Sequence, residues 1–129
     1  MQISPFLMFE GKAEEAMSLY TGLFPQSKVT SVERYKAGEQ GKEGSIKVAN
    51  FEICGLNVKC IDSPVQHGFT FTPSFSFFVD CDSLEQLESA CDELSKGGQF
   101  MMPKGNYGFS RQFAWLADRY GVSWQLNWA

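Results

Sequence analysis

The side chains with chemical potential in this 129-residue chain are mostly polar without charge, and they fall on alternating positions. Near the C-terminus Ser123, Gln125 and Asn127 alternate with Trp124, Leu126 and Trp128, the period-two pattern of a strand with one apolar and one polar face. Ser74, Ser76 and Phe78 alternate in the same way with Phe75, Phe77 and Val79. If the apolar rows pack under helices, then Ser74, Ser76, Phe78 and Gln125 look out from the free face. Uncharged polar groups beside an aromatic ring suit a small organic ligand held by a few oriented hydrogen bonds. A solvated sheet face is the alternative reading of the same pattern.

Charged and titratable candidates are fewer. Lys59 and Asp62 lie on one strand-like segment, and an inward Lys59 could anchor an anionic substrate or simply reach solvent over a buried stem. Arg111 could clamp a carboxylate or join a surface ion pair. His67 is the only histidine and lies in a loop, either as a surface residue or as a gate over a ligand. Tyr107, in the loop Lys104–Phe109 with its two glycines, is the second candidate gate. Cys54, Cys60, Cys81 and Cys91 show no CxxC spacing and no adjacent histidine or basic cluster, so buried, reduced thiols are expected and a cytoplasmic location with them. The pairs Glu14/Glu15 and Glu85/Glu88 fall on outer helix faces, away from any acid–base role.

The elements that position these residues follow from the hydropathy pattern. Residues 3–9 form an apolar strand, and Ala13–Phe24 carries Ala13, Ala16, Met17, Tyr20, Leu23 and Phe24 at helical spacing until Pro25 ends it. Val29–Tyr35 reads as a strand, residues 36–44 as a charged, glycine-rich mobile loop, and Ile46–Cys54 with Leu56–Asp62 as a hairpin turning at Gly55. Residues 63–73, with Pro64, Gly68 and Pro73, form the linker. The order then repeats. Phe75–Cys81 is a strand, Leu84, Leu87, Cys91 and Leu94 mark a helix stopping at Gly97-Gly98, and Gln99–Met102 is a short strand. Residues 103–108 form a loop, and the strands Ser110–Ala117 and Val122–Trp128 meet at the turn 118–121. The fold class is therefore α+β, with two βαβββ modules, about 1–66 and about 67–129, in a single domain. A ferredoxin-like domain would need fewer strands.

Bulk properties bound the function. A hydrophobic fraction of 43% with twelve phenylalanines supports a real core. The net charge of −4 disfavours nucleic acid and anionic membranes as partners. No run approaches the roughly 18–20 apolar residues of a membrane span, and Met1–Pro5 lacks the pattern of a secretory signal.

Three segments carry a family likeness. They are Pro5-Phe6-Leu7-Met8-Phe9 with Gly11 and Ala13-Glu14-Glu15-Ala16, then Thr72-Pro73-Ser74-Phe75-Ser76-Phe77-Phe78-Val79, and finally Phe113-Ala114-Trp115 with Asp118 and Gly121-Val122-Ser123-Trp124-Gln125-Leu126. Together they resemble the vicinal oxygen chelate superfamily of glyoxalases, bleomycin-resistance proteins and extradiol dioxygenases, and more narrowly its PhnB-like branch, often labelled 3-demethylubiquinone-9 3-methyltransferase. No glycine-rich strand-to-helix turn of the dinucleotide or S-adenosylmethionine kind is present. The resemblance implies a glyoxalase/bleomycin-resistance-like fold, a curved mixed sheet around a cavity, and a homodimer, for which Trp128 or Phe71 could supply the contact.

The resemblance also implies four inward positions for a divalent ion, at or next to Pro5, Lys59, Ser74 and Gln125, to within one or two residues. Proline has no donor atom, serine is a poor ligand and lysine is cationic at neutral pH, whereas hard divalent ions require carboxylates, imidazoles or several carbonyls. The expectation is a small-molecule-binding protein without cofactor or metal, its ligand near Lys59, Ser74, Ser76, Phe78, Arg111 and Gln125. The alternative is a divalent-metal-dependent lyase or dioxygenase using displaced donors such as His67, Asp62 and Gln125. A third reading is an interaction module with a filled cavity.

Overall fold

A computed structural model describes all residues, Met1–Ala129. The elements are β1 (Phe6–Phe9), α1 (Ala13–Leu23), β2 (Lys28–Arg34), β3 (Ile46–Ile53), β4 (Leu56–Asp62), β5 (Ser76–Asp80), α2 (Leu84–Leu94), β6 (Gln99–Gly105), β7 (Gln112–Ala117) and β8 (Ser123–Trp128). The chain divides into two compact units, Met1–Gly68 and Phe69–Ala129. Each holds a four-stranded mixed sheet, ordered β1-β4-β3-β2 in the first and β5-β8-β7-β6 in the second. In both, the opening and closing strands pair in parallel and the other pairs are antiparallel. The repeated order in the sequence is thus a repeated topology.

In the first unit, α1 packs on β3, β2 and β4. Ala13, Ala16, Met17 and Tyr20 form its buried stripe and meet Leu7, Phe9, Ala49, Phe51, Val58 and Cys60, all buried on the facing side of the sheet. The Tyr20 and Phe51 rings lie 6.3 Å apart. Phe24 is extended, as a residue before proline must be, so the helix stops at Leu23. Lys12 makes no side-chain cap. The start of α1 is instead capped from the far end of the unit, where Asp62 Oδ1 accepts Gly11 N–H and Ala13 N–H, each at 2.9 Å. Its other oxygen accepts Ile46 N–H at 3.0 Å. Only buried Asp62, on the helix side of β4, satisfies these three donors together.

The second unit caps its helix locally. Ser83 accepts the backbone N–H of Gln86, whose side-chain oxygen accepts Asp82 N–H, a near relative of the reciprocal capping box. Leu87, Ala90, Cys91 and Leu94 are the buried stripe, and α2 packs on β8 and β7 over Trp124, Leu126, Ala114 and Leu116. Asp118 is this unit's buried organiser. It accepts Tyr120 N–H, Val122 N–H and Trp124 Nε1–H, at 2.8, 3.1 and 2.9 Å. After α2 the chain passes so close to β7 that a Cβ on Gly98 would sit 2.2 Å from the Ala117 carbonyl oxygen.

Several expectations are corrected. β6 runs through Pro103, Lys104 and Gly105, which the sequence reads as loop. It is an edge strand with two register shifts, where a proline without an N–H is tolerated. Cys54 is exposed, not buried, because the β3–β4 turn uses both Cys54 and Gly55 at positive φ, the geometry of a tight hairpin. Phe75 is 66% exposed, since it belongs to the turn Thr72–Phe75 and β5 starts after it. Ser123 is buried, its hydroxyl accepting Trp115 Nε1–H and donating to the Pro73 carbonyl. Phe71 and Trp128, named as contact aromatics, are each half-buried. The segment 36–44 is tied down by Lys36 N–H to Glu39, by the Lys47–Glu39 ion pair and by backbone bonds between Tyr35 and both Gly44 and Ser45.

Candidate functional site

Within each unit the helix covers one sheet face, and the residues of the opposite face fall into rows that cross all four strands. In the first unit the register joins Phe6, Lys59, Asn50 and Ser31, one from each strand. In the second it joins Phe78, Gln125, Trp115 and Met102. The two rows match in kind. Each puts a phenylalanine, 54% exposed in both cases, beside a long polar side chain on the closing strand.

In the second row, Gln125 Nε2–H donates to Ser76 Oγ at 2.8 Å. The bond fixes the amide and leaves its oxygen as an acceptor and the serine hydroxyl as a donor. Phe78 lies beside this pair, its ring 6.3 Å from Phe113. Phe113 is buried by the loop that follows β6, with the Phe109 and Tyr107 rings at 4.9 and 6.2 Å. Tyr107 is 42% exposed and its hydroxyl donates to the Pro103 carbonyl. The candidate gate is therefore packed on the margin of the Phe78–Gln125 row. Phe113 and the Phe109 ring are the site residues that sequence reasoning missed. The strand alternation of Phe113 with Ala114 was available as a signal, but the segment was read only as a strand and as part of the family likeness.

In the first row, Lys59 Nζ donates to Asn50 Oδ1 at 2.8 Å and Asn50 Nδ2 donates to Ser31 Oγ at 3.0 Å. Lys59 is exposed and faces away from α1. Pro5 contributes only its carbonyl, which accepts Lys59 N–H, and the side-chain row begins at Phe6. One residue of offset reverses the face.

The remaining candidates lie elsewhere. Ser74 precedes β5, exposed, and bonds Thr72. The Arg111 guanidinium lies 3.7 Å over Trp128, with Nε–H donating to the Ala129 carbonyl, so it is not beside Gln125. His67 is half-buried, its Nε2 2.8 Å from Ser63 Oγ and its N–H on Glu10. Asp62, offered as a displaced metal donor, accepts three backbone N–H groups on the helix side of its sheet, which removes it from any ion on the other face. No group of three or more His, Cys, Asp or Glu side chains is placed to hold a metal ion. The mapped positions Pro5, Lys59, Ser74 and Gln125 do not fit one either, nor does Phe6 beside the first of them.

Two βαβββ units, each with one sheet face free of its helix, define the α+β glyoxalase/bleomycin-resistance-like fold of the vicinal oxygen chelate superfamily, in its PhnB-like form. The chain belongs to the family described as 3-demethylubiquinone-9 3-methyltransferase, whose sequence profile matches residues 1–127. It is similar over the full length of both chains to the solved structure of a putative 3-demethylubiquinone-9 3-methyltransferase, PhnB protein, from Bacillus cereus, with 50% identity and a TM-score of 0.97. Protein YjdN of Escherichia coli strain K12 is 25% identical over 140 residues, covering 98% of this chain and 95% of that one. A mutant of the genomically encoded fosfomycin resistance protein FosX from Listeria monocytogenes shares the fold alone, at 12% identity and a TM-score of 0.62 over 98% of this chain and 90% of its own.

Proposed function

We propose that this protein binds a small, uncharged organic molecule on the free face of its second sheet. Gln125 and Ser76 would supply the hydrogen bonds and Phe78 an apolar surface. The observation that carries this reading is the Gln125–Ser76 bond beside a phenylalanine that stays 54% exposed. An oriented amide and hydroxyl next to an exposed ring offer a small molecule two hydrogen-bonding groups and an apolar contact at one place. The donor chemistry favours a ligand held without a divalent ion.

No helix of the protein is long and apolar enough to cross a membrane, and the four free cysteines agree with a reducing cytoplasm. A homodimer is part of the same proposal, supported by the exposure of Phe69 and Phe75, 65% and 66%.

The test is a thermal-shift screen of neutral aromatic and heterocyclic compounds, with hits repeated on Gln125→Ala and Phe78→Ala. Each substitution should weaken a true hit by about three- to tenfold, the worth of one hydrogen bond or a partly buried ring. Hits that bind both variants unchanged would place the ligand elsewhere. Stoichiometric divalent metal in protein purified without chelator or affinity tag would overturn the metal-free reading.

A further inference from the structure

The first unit carries an arrangement that the proposed ligand site does not use. Lys59 sits in the row Phe6–Lys59–Asn50–Ser31 on the helix-free face. Its ammonium is held by the Asn50 carbonyl oxygen at 2.8 Å, and the Asn50 amide is held in turn by Ser31 Oγ at 3.0 Å. The holder is neutral. Of the other seven lysines, four pair with carboxylates, Lys12 with Glu15, Lys47 with Glu39, Lys96 with Glu93 and Lys104 with Asp92, whereas Lys28, Lys36 and Lys42 do not. Lys59 is in no such pair. The carboxylates of this face, Glu52 on β3 and Glu33 on β2, lie two residues along from Asn50 and Ser31, Glu52 opposite Asn57 and Lys28 and Glu33 4.0 Å from Lys47.

This geometry points to an anion subsite in the first unit, and we infer that it takes a small organic carboxylate with an apolar body. A free lysine chain loses considerable rotamer entropy when an anion fixes it. Here Asn50 has already fixed one of its three donors, leaving two for a carboxylate. Because Asn50 brings no negative charge, the positive charge stays uncompensated, which an ion pair would prevent. The adjacent Phe6 ring, 54% exposed, supplies a surface for the apolar body, which inorganic anions lack. Asn50 is a positioning residue, and Ser31 orients it. The inference uses no residue of the second unit and stands or falls apart from the Gln125–Ser76 site.

Sodium benzoate followed by backbone amide NMR is the direct test, with benzamide as the neutral isostere. Benzoate should give saturable shifts at Phe6, Ser31, Asn50 and Lys59, weakening as salt rises because the site is exposed, and benzamide should not. Lys59→Gln should lose on the order of tenfold in benzoate affinity, the worth of a charge-assisted hydrogen bond. Asn50→Asp, which places a carboxylate against the ammonium, should lose as much, and Asn50→Ala should lose less. Gln125→Ala should leave the benzoate response intact. Thermal melts of each variant check that it is folded. Equal benzoate affinity in Lys59→Gln, equal binding of benzamide, or tighter binding by Asn50→Asp would each overturn the assignment. So would inorganic phosphate matching benzoate in a manner indifferent to Phe6→Ala.

Discussion

Asp62 and Asp118 each accept three donors, Asp62 from two separate parts of its unit and Asp118 from the six residues that follow it. Asp62→Ala would strand Gly11, Ala13 and Ile46 N–H groups. At about 1–3 kcal/mol for each buried donor left unmet, less what water recovers, a loss of about 3–5 kcal/mol is expected by urea unfolding. Asp62→Asn should cost less, since one oxygen is kept and only the bond to Ile46 becomes a clash of donors. A loss below about 1 kcal/mol for Asp62→Ala would show that the three groups find other partners. The role of Asp62 was not legible in the sequence, because a cap supplied across some fifty residues leaves no local spacing to read. Gln125, Ser76 and Phe78 were legible, because strand alternation alone assigns a face once the strand is known. Ser74 shows the limit of that rule. It shares their parity, but the chain at Ser74 is still in a turn, where parity carries no meaning.

The two helices were read from the same hydrophobic spacing, yet they begin by different means. Ser83 caps α2 through Gln86 N–H, so Ser83→Ala should cost about 1 kcal/mol. Lys12→Ala, at the same place on α1, should leave chemical-denaturation midpoints unchanged within about 0.5 kcal/mol, since Lys12 caps nothing. Equal effects at the two sites would contradict the assignment of remote and local caps. Strand ends were the least legible elements. β6 continued past Pro103 because an edge strand has a side on which no N–H is needed, and edge position is a property of the sheet, not of the segment. The β3–β4 turn was placed at Gly55, but Cys54 shares its positive φ. A non-glycine residue there is uncommon enough that sequence reasoning passes it over.

At the scale of the molecule, the thiols report on the integrity of both units. Burial pushes Cys60 up to about 12, with the Asp62 charge adding to it. Burial likewise pushes Cys91 up to about 12, against the pull of Lys104. The unfolded chain therefore releases these protons first as pH rises. The contribution of these two thiols to stability should be constant below about pH 9 and fall between there and about pH 12, at up to about 1.4 kcal/mol per pH unit for each thiol. Equilibrium unfolding across that range checks the slope, and a flat profile would place these thiols in contact with water. The repeated strand order carries a further consequence for how the chain is made. In each unit the first strand bonds only to the last. During synthesis β1 must therefore wait, unpaired, while α1, β2 and β3 leave the ribosome, and α1 has no N-terminal acceptor until Asp62 emerges. The first unit can close before the second has been translated, because every partner in its sheet lies within its own sequence. A nascent chain halted shortly after Asp62 clears the exit tunnel would hold the first complete sheet.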